Sequence, residues 1–95
     1  MMDLNAFDGL TAVYHEAGER EIRAVIGYVN TSKLYTDEAH KNEMSYELAV
    51  ELCEKGFLRV YDTDTFYSVA SFKDTGSAIT IGYGSKTVTV SVPSL

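Results

Sequence analysis

Residues 82–87 come closest to a motif that could do chemistry, because the order Gly-Tyr-Gly-Ser-Lys-Thr resembles a phosphate-binding loop. Such a loop needs a glycine directly before the lysine, and it joins a strand to a helix whose N-terminus holds the phosphate. In this chain Ser85 precedes Lys86, and the residues that follow have the alternation of a strand. We therefore interpret the segment as a hairpin turn.

Two segments contain side chains that bind metals, but neither has a complete ligand set. The segment 62–64, Asp-Thr-Asp, has the spacing of two carboxylate ligands, but Phe66 and Tyr67 occupy the next ligand positions of a calcium loop. Aspartate is also common in tight turns, so we predict a turn here, with a weak metal contact as the alternative. His15 begins a zincin-like pattern that lacks its second histidine. The sequence therefore predicts no metal site and no cofactor.

Cys53 is the only cysteine in the chain, so it cannot form an internal disulfide and suits a reducing compartment. A cysteine nucleophile needs a neighbouring base and a lowered pKa. Cys53 instead falls on the apolar side of a predicted helix, where it is expected to be a small core residue. No serine has the G-x-S-x-G context of a nucleophile elbow. We predict no catalytic residue and no enzymatic activity.

The composition limits the class of partner. The chain has 95 residues with 14 acidic and 8 basic side chains, which give a net charge of −6. This length predicts a single domain over residues 1–95. The negative charge disfavours binding to nucleic acid and to anionic membranes, and it favours a protein with a basic surface. Because no long apolar run and no signal peptide are apparent, we expect a cytoplasmic protein.

The elements that position these residues are predicted from apolar periodicity and turn residues. The pattern predicts an α+β fold in the order ββαββββ, an antiparallel sheet with one helix packed on one face. A hairpin of residues 10–16 and 21–29 precedes a polar loop over residues 30–42. The helix is expected from about residue 45 to 55, with Ser45 as N-cap and Gly56 after its end. A helix start as early as Asp37 is the alternative.

Four short strands are predicted after the helix, each joined to the next by a short turn. Their ranges are 57–61, 65–72, 78–83 and 87–92. In the last strand Val88, Val90 and Val92 alternate with hydroxyl residues. This alternation indicates a sheet with one buried face and one face rich in hydroxyl groups.

The predicted helix has a stripe of glutamates that fall within an arc of roughly 80°. We refer to Glu43, Glu47, Glu51 and Glu54 as the acidic stripe. The leucines of the helix lie on the opposite half, where they would face the sheet. Tyr46 and Val50 border the stripe. The predicted protein-binding residues are therefore Glu43, Tyr46, Glu47, Val50, Glu51 and Glu54.

We expect a non-enzymatic protein-binding module whose partner has a basic surface. Small acidic proteins of phages and mobile elements can inhibit host proteins by occupying a basic nucleic-acid-binding groove, and this chain has the charge for such a role. The stripe could instead be a solvated face. One alternative function is a self-assembling subunit, a homodimer through the strand at 87–92. Another is a small-ligand binder or enzyme, in which the hydroxyl face with Tyr67 would hold a polar ligand and His15 with Glu16 would move protons.

Overall fold

The computed structural model describes residues 11–15 and 21–92, with side chains from residue 24 onward. In this part of the chain, eight strands form two sheets, and one helix packs with both sheets around a shared core. The elements are β1 (Thr11–His15), β2 (Glu21–Asn30), β3 (Lys33–Tyr35), α1 (Tyr46–Lys55), β4 (Leu58–Asp62), β5 (Thr65–Ser68), β6 (Ser71–Asp74), β7 (Ala78–Tyr83) and β8 (Lys86–Ser91). The predicted α+β class is confirmed, and the predicted order of elements fits, although the strands form two sheets rather than one.

The first sheet is built around β2, the longest strand. Its order is β1-β2-β4-β5, and β3 also pairs with β2. The β1–β2, β2–β3 and β4–β5 pairs are antiparallel, whereas β2 and β4 run parallel. A parallel pair cannot be joined by a tight turn, so the chain passes from β2 to β4 through β3 and α1. The β1–β2 hairpin is confirmed, while the turn predicted at residues 17–20 lies outside the described residues.

The second sheet contains β6, β7 and β8 in antiparallel order. The single strand predicted over residues 65–72 is divided, because β5 belongs to the first sheet and β6 to the second. Only Val69 and Ala70 separate them, and the Ala70 N–H donates to the Gly82 carbonyl at 2.8 Å. A strand that bends from one sheet into another makes such a corner. Local alternation does not reveal the bend, so the prediction of a single strand over residues 65–72 was wrong.

The outer face of the second sheet has the predicted hydroxyl groups. Its exposed hydroxyl residues are Ser71, Thr80, Thr87, Thr89 and Ser91. On the inner face Ile79 and Ile81 of β7 lie beside Val90 and Val88 of β8. The buried face and the hydroxyl face are therefore confirmed, except that Val92 lies beyond the end of β8 and is exposed.

The predicted polar loop over residues 30–42 contains β3 and a compact turn. The Asp37 carboxylate accepts hydrogen bonds from the backbone N–H groups of Asn42, at 2.8 Å, and Lys41, at 3.0 Å. These bonds hold the pKa of Asp37 below its usual value, and the bond from Asn42 has the largest effect. Asp37 therefore organises the loop and does not begin the helix, so the alternative helix start was wrong.

One main core lies between α1 and both sheets. The helix packs against β4, β7 and β8, and its buried residues are Ala49, Leu52 and Cys53. The first sheet contributes Val25, Leu34, Leu58 and Val60, and the second contributes Ile79, Ile81, Tyr83, Val88 and Val90. The helix thus contacts strands of both sheets.

Both ends of α1 have the caps expected from the sequence. The Ser45 hydroxyl oxygen accepts a hydrogen bond from the Leu48 N–H at 3.2 Å. Gly56 has φ 76°, and its N–H donates to the Cys53 and Leu52 carbonyls. Left-handed backbone of this kind is readily adopted by glycine and ends the helix. The predicted helix limits are confirmed.

Replacing Gly56 with alanine is expected to lower the free energy of unfolding by about 1 kcal/mol, because a Cβ strains left-handed backbone. A Cβ at this position would meet no atom within 4 Å, so the loss isolates the backbone effect from packing. Chemical denaturation measures the change. Gly56→Asn is the matched control with a smaller loss, since asparagine tolerates this conformation. An alanine variant as stable as the wild type would contradict the role of Gly56.

Candidate protein-binding surface

Three of the four stripe glutamates lie on α1 with exposed side chains. These are Glu47, Glu51 and Glu54. Glu43 is not on the helix, because it precedes the N-cap by two residues and its backbone pairs with Tyr35 in an isolated bridge. The prediction that all four share one helical face was therefore wrong for Glu43. Buried Met44, whose N–H donates to the Leu34 carbonyl, holds this segment against β3.

Two of these glutamates have lysine partners at the surface. Lys33 pairs with Glu43 at 3.3 Å, and Lys55 pairs with Glu51 at 2.9 Å. All four side chains are exposed, and exposed pairs typically contribute about 0.2–1 kcal/mol. A cation from a partner could therefore replace either lysine at little cost. Glu47 and Glu54 form no ion pair with any other residue in the range 24–92.

Asp74, at the end of β6, extends the acidic region and was missed by the sequence analysis. Its carboxylate accepts hydrogen bonds from the Tyr46 hydroxyl and from the Gly76 N–H, the latter at 2.9 Å. These bonds, chiefly that from Tyr46, hold the pKa of Asp74 below its usual value. No local pattern could reveal this contact, because it depends on the bend between β5 and β6.

The Tyr46 hydroxyl lies within the electrostatic range of three carboxylates. The hydrogen bond to Asp74 raises the pKa of Tyr46, and the charges of Glu47 and Glu54 add to the effect. Residues from α1 and β6 therefore form one negative surface. We refer to Glu47, Glu51, Glu54 and Asp74 as the acidic helix surface.

The predicted apolar border of the stripe offers less contact area than expected. Tyr46 and Val50 are half-buried and pack against the main core. Tyr46 positions Asp74 through its hydroxyl, and Val50 anchors the helix. The surface that remains for a partner is chiefly the carboxylates.

The other candidate motifs have structural roles. Thr63 and Asp64 have φ 52° and 60° and form the two-residue turn between β4 and β5, which confirms the predicted turn. Asp62 accepts a hydrogen bond from the Tyr83 hydroxyl at 2.8 Å and pairs with Lys86 at 3.3 Å. Within the described residues, no group of three or more potential metal-ligating side chains occurs.

The phosphate-loop-like segment and the cysteine also belong to the framework. Gly84 and Ser85 form the turn between β7 and β8, so this hairpin is confirmed. Cys53 is 7% exposed, and burial raises the pKa of its thiol to about 11. The thiol is therefore protonated near neutral pH, which argues against a nucleophile.

Tyr67, one of the residues proposed for a small ligand, does not lie on the hydroxyl face. Tyr67 packs toward the main core, where its ring centroid lies 5.4 Å from that of Tyr83. Its inclusion in a polar site on the outer face was therefore wrong. Glu16 and the side chain of His15 lie outside the described residues.

Comparison of the chain with protein-family models, curated proteins and solved structures finds no match. The described part of the chain contains no helix with the length and apolarity needed to cross a membrane. The inference of function therefore depends on the surface itself.

Replacing Tyr46 with phenylalanine removes the hydrogen bond to Asp74 and should raise the pKa of Asp74 toward that of an unpaired aspartate. Because the folded pKa lies below the unfolded value, this bond contributes stability above the unfolded pKa. The contribution is lost as the pH falls through the folded pKa. Denaturation between about pH 7 and pH 2 should therefore show a smaller acid-induced loss for the variant.

Carboxyl NMR titration measures the pKa of Asp74 directly. Tyr35→Phe is the control, because the half-buried Tyr35 hydroxyl makes no hydrogen bond with a described residue. An Asp74 pKa that is the same in Tyr46→Phe and the wild type would rule out this coupling.

Proposed function

We propose that this protein is a non-enzymatic binding module of the cytoplasm whose acidic helix surface binds the basic surface of a partner protein. The observation that carries the proposal is the contact of the Asp74 carboxylate with the Tyr46 hydroxyl, which brings an acidic group of β6 to the helix that has the exposed side chains of Glu47 and Glu54. Three carboxylates from two elements share this region, and Glu51 continues it along the same side of α1. A complementary cationic surface would relieve their mutual repulsion.

The spacing of the helical carboxylates supports a partner that normally binds nucleic acid. Glu47 and Glu54 are seven residues apart, which corresponds to about 10 Å along the helix axis. Phosphates on one strand of DNA repeat about every 3.4 Å along the duplex axis. The carboxylates therefore extend over about three nucleotide steps. We propose an acidic inhibitor, of phage or mobile-element type, that occupies a basic nucleic-acid-binding groove.

Self-assembly through β8 is the second candidate function. This strand lies at the edge of the second sheet, and Val92, just beyond it, is 40% exposed. The edge of a sheet can pair with a second chain. One position is already in use, because the Thr89 N–H donates to the Ser32 carbonyl at 3.4 Å. A dimer through the full length of β8 would have to displace this contact.

Reversing two charges, in the variant E47K/E54K, should weaken binding to a basic partner at least about tenfold while leaving the fold intact. The probes are purified nucleic-acid-binding enzymes with basic grooves, whose affinity is measured by biolayer interferometry as NaCl rises. Wild-type affinity should fall with salt, and duplex DNA should compete. Circular dichroism checks the fold. Unchanged affinity of the variant, or affinity independent of salt, would contradict the proposal.

A matched pair of variants separates local charge from net charge. E47Q/E54Q and T87K/S91K each raise the net charge by two, but the second pair lies on the hydroxyl face. Only E47Q/E54Q should weaken the complex appreciably. Equal loss in both variants would mean that long-range attraction, rather than the acidic helix surface, accounts for binding.

A further inference from the structure

We propose that the free edge of β6 binds an extended segment of the partner protein, which joins the second sheet as a further strand. The segment places an apolar side chain beside Phe72 and a lysine or arginine beside Asp74. This inference deepens the proposed function and rests on it for the choice of a basic partner. It adds the form in which the partner binds, which is a strand paired through its backbone.

The free edge of β6 follows from the order of the second sheet, β6-β7-β8. Just beyond β6, the Thr75 N–H donates to the Ala78 carbonyl at 2.9 Å, which is the direction of β7. Backbone groups alternate between the two sides of an antiparallel strand, so Lys73, two residues earlier, also bonds toward β7. The N–H and C=O groups of Phe72 and Asp74 therefore point to the free side of β6.

The free side of β6 has no hydrogen-bonding partner in the described part of the chain. All residues of β6, Ser71 to Asp74, are exposed. No described residue forms a hydrogen bond with the backbone N–H or C=O groups of Phe72 or Asp74 from this side. Unpaired edge groups of this kind are a template for a further strand. Such pairing gives affinity through the backbone, and alternate side chains give specificity.

Phe72 gives the edge an apolar contact. It is directly opposite Ile81, which is fully buried, so its ring lies on the inner face of the second sheet. Phe72 is nevertheless 44% exposed, since β6 is at the edge of that sheet. The residue of an added strand that lies opposite Phe72 would cover the exposed part of the ring. An exposed phenylalanine at a strand edge is the kind of surface that a partner buries.

A groove of about 470 Å³ adjoins this ring. Leu52 and Cys53 of α1 are among the residues that line it, together with Val69 and Phe72. Arg59 also lines the groove, so an uncharged side chain fits there better than a lysine or arginine. The groove therefore favours an apolar residue of the added strand at the position beside Phe72.

The charge at the other end of β6 favours a basic residue. Asp74 is opposite Ile79, so its side chain lies on the inner face of the sheet, toward α1. Its carboxylate accepts a hydrogen bond from the Tyr46 hydroxyl and keeps lone pairs for a cation. Glu47 and Glu54 add negative charge within electrostatic range of Tyr46. A lysine or arginine opposite Asp74 would form a cross-strand pair of opposite charge.

A second copy of this chain fits the edge less well than a basic segment does. Antiparallel self-pairing that joins Phe72 of each copy to Asp74 of the other would place the two Lys73 side chains directly opposite one another. Like charges directly opposite in a sheet destabilise the pair. Two chains with a net charge of −6 each also repel one another. The charges therefore favour a basic partner.

The test uses the full chain labelled with ¹⁵N and an acetylated, amidated Thr-Arg-Thr-Ile-Thr peptide. In antiparallel pairing its arginine lies opposite Asp74 and its isoleucine opposite Phe72. We expect NMR shifts in β6 and β7, and about threefold slower hydrogen exchange of the Phe72 and Asp74 amides when the peptide is at about twice its Kd. Exchange of these two amides that the bound peptide leaves unchanged would overturn the proposal.

N-methylation of the peptide separates strand pairing from other modes of binding. A methyl group on the isoleucine nitrogen blocks the hydrogen bond donated to the Phe72 carbonyl, and the affinity should fall at least about tenfold. A methyl group on the central threonine nitrogen, which points away from β6, should lower the affinity less than about threefold. Equal affinities of the two methylated peptides would also contradict an added strand.

Two variants connect the binding to the named side chains. Phe72→Thr keeps a good strand residue but removes the ring, and it should weaken the peptide roughly three- to tenfold. Asp74→Asn removes the charge and should weaken the arginine peptide roughly two- to fivefold, with little effect on a peptide that has citrulline instead. Val92→Thr removes an exposed apolar side chain beyond β8 and serves as the control with unchanged affinity. Full affinity in Phe72→Thr would exclude the edge.

Three further outcomes would overturn this inference. Shifts confined to α1, with affinity lost in E47Q/E54Q, would mean that the cation binds the acidic helix surface without an added strand, and the proposed function would stand. Slower exchange of the Thr87 and Ser91 amides instead of the β6 amides would place the strand on β8. Sedimentation that shows a wild-type dimer dissociated by Phe72→Thr would assign the edge to a second copy. Failure of the proposed function is seen separately, in the affinity of E47K/E54K for a basic enzyme.

Discussion

The parallel pairing of β2 with β4 is the constraint on which the arrangement of this molecule depends. The chain must return to the starting end of the sheet before β4 can form beside β2, and α1 lies on that return path. Once there, the helix lies against β4 of the first sheet and β7 and β8 of the second. The position of the acidic helix surface is therefore set by sheet topology as well as by helix periodicity.

The rotation of α1 about its axis is decided by a large difference in energy. Leu52 is 0% exposed, and full burial of a leucine contributes about 1.5–3 kcal/mol. A rotation that exchanged Leu52 for a glutamate would lose this term and would bury an ionised group, which costs several kcal/mol more. The repulsion between neighbouring glutamates is about 0.2–0.5 kcal/mol per pair, far too small to oppose this preference. The carboxylates therefore point outward whatever their role.

Local features of this chain could be predicted from sequence, and contacts between distant segments could not. Ser45 and Gly56 define the helix limits through bonds within a few residues, and the β7–β8 hairpin follows from a short turn and clean alternation. The parallel β2–β4 pair, the hydrogen bond from Ala70 to Gly82 at the bend, and the contact of Asp74 with Tyr46 all join segments far apart in the chain. Helix periodicity also led to the prediction that Glu43 lies on the helical face, because a helical wheel can be continued beyond the residue at which the helix begins. The helix begins at Tyr46.

The bend between β5 and β6 has a consequence for how the molecule comes apart. With only two residues between the strands, the sheets have no linker that would let one swing free of the other. They also share apolar contacts beneath α1, so melting either sheet would expose the inner face of its neighbour to water. Such mutual dependence favours a single cooperative transition, with amide protons of β4 and β7 exchanging only through the same global opening.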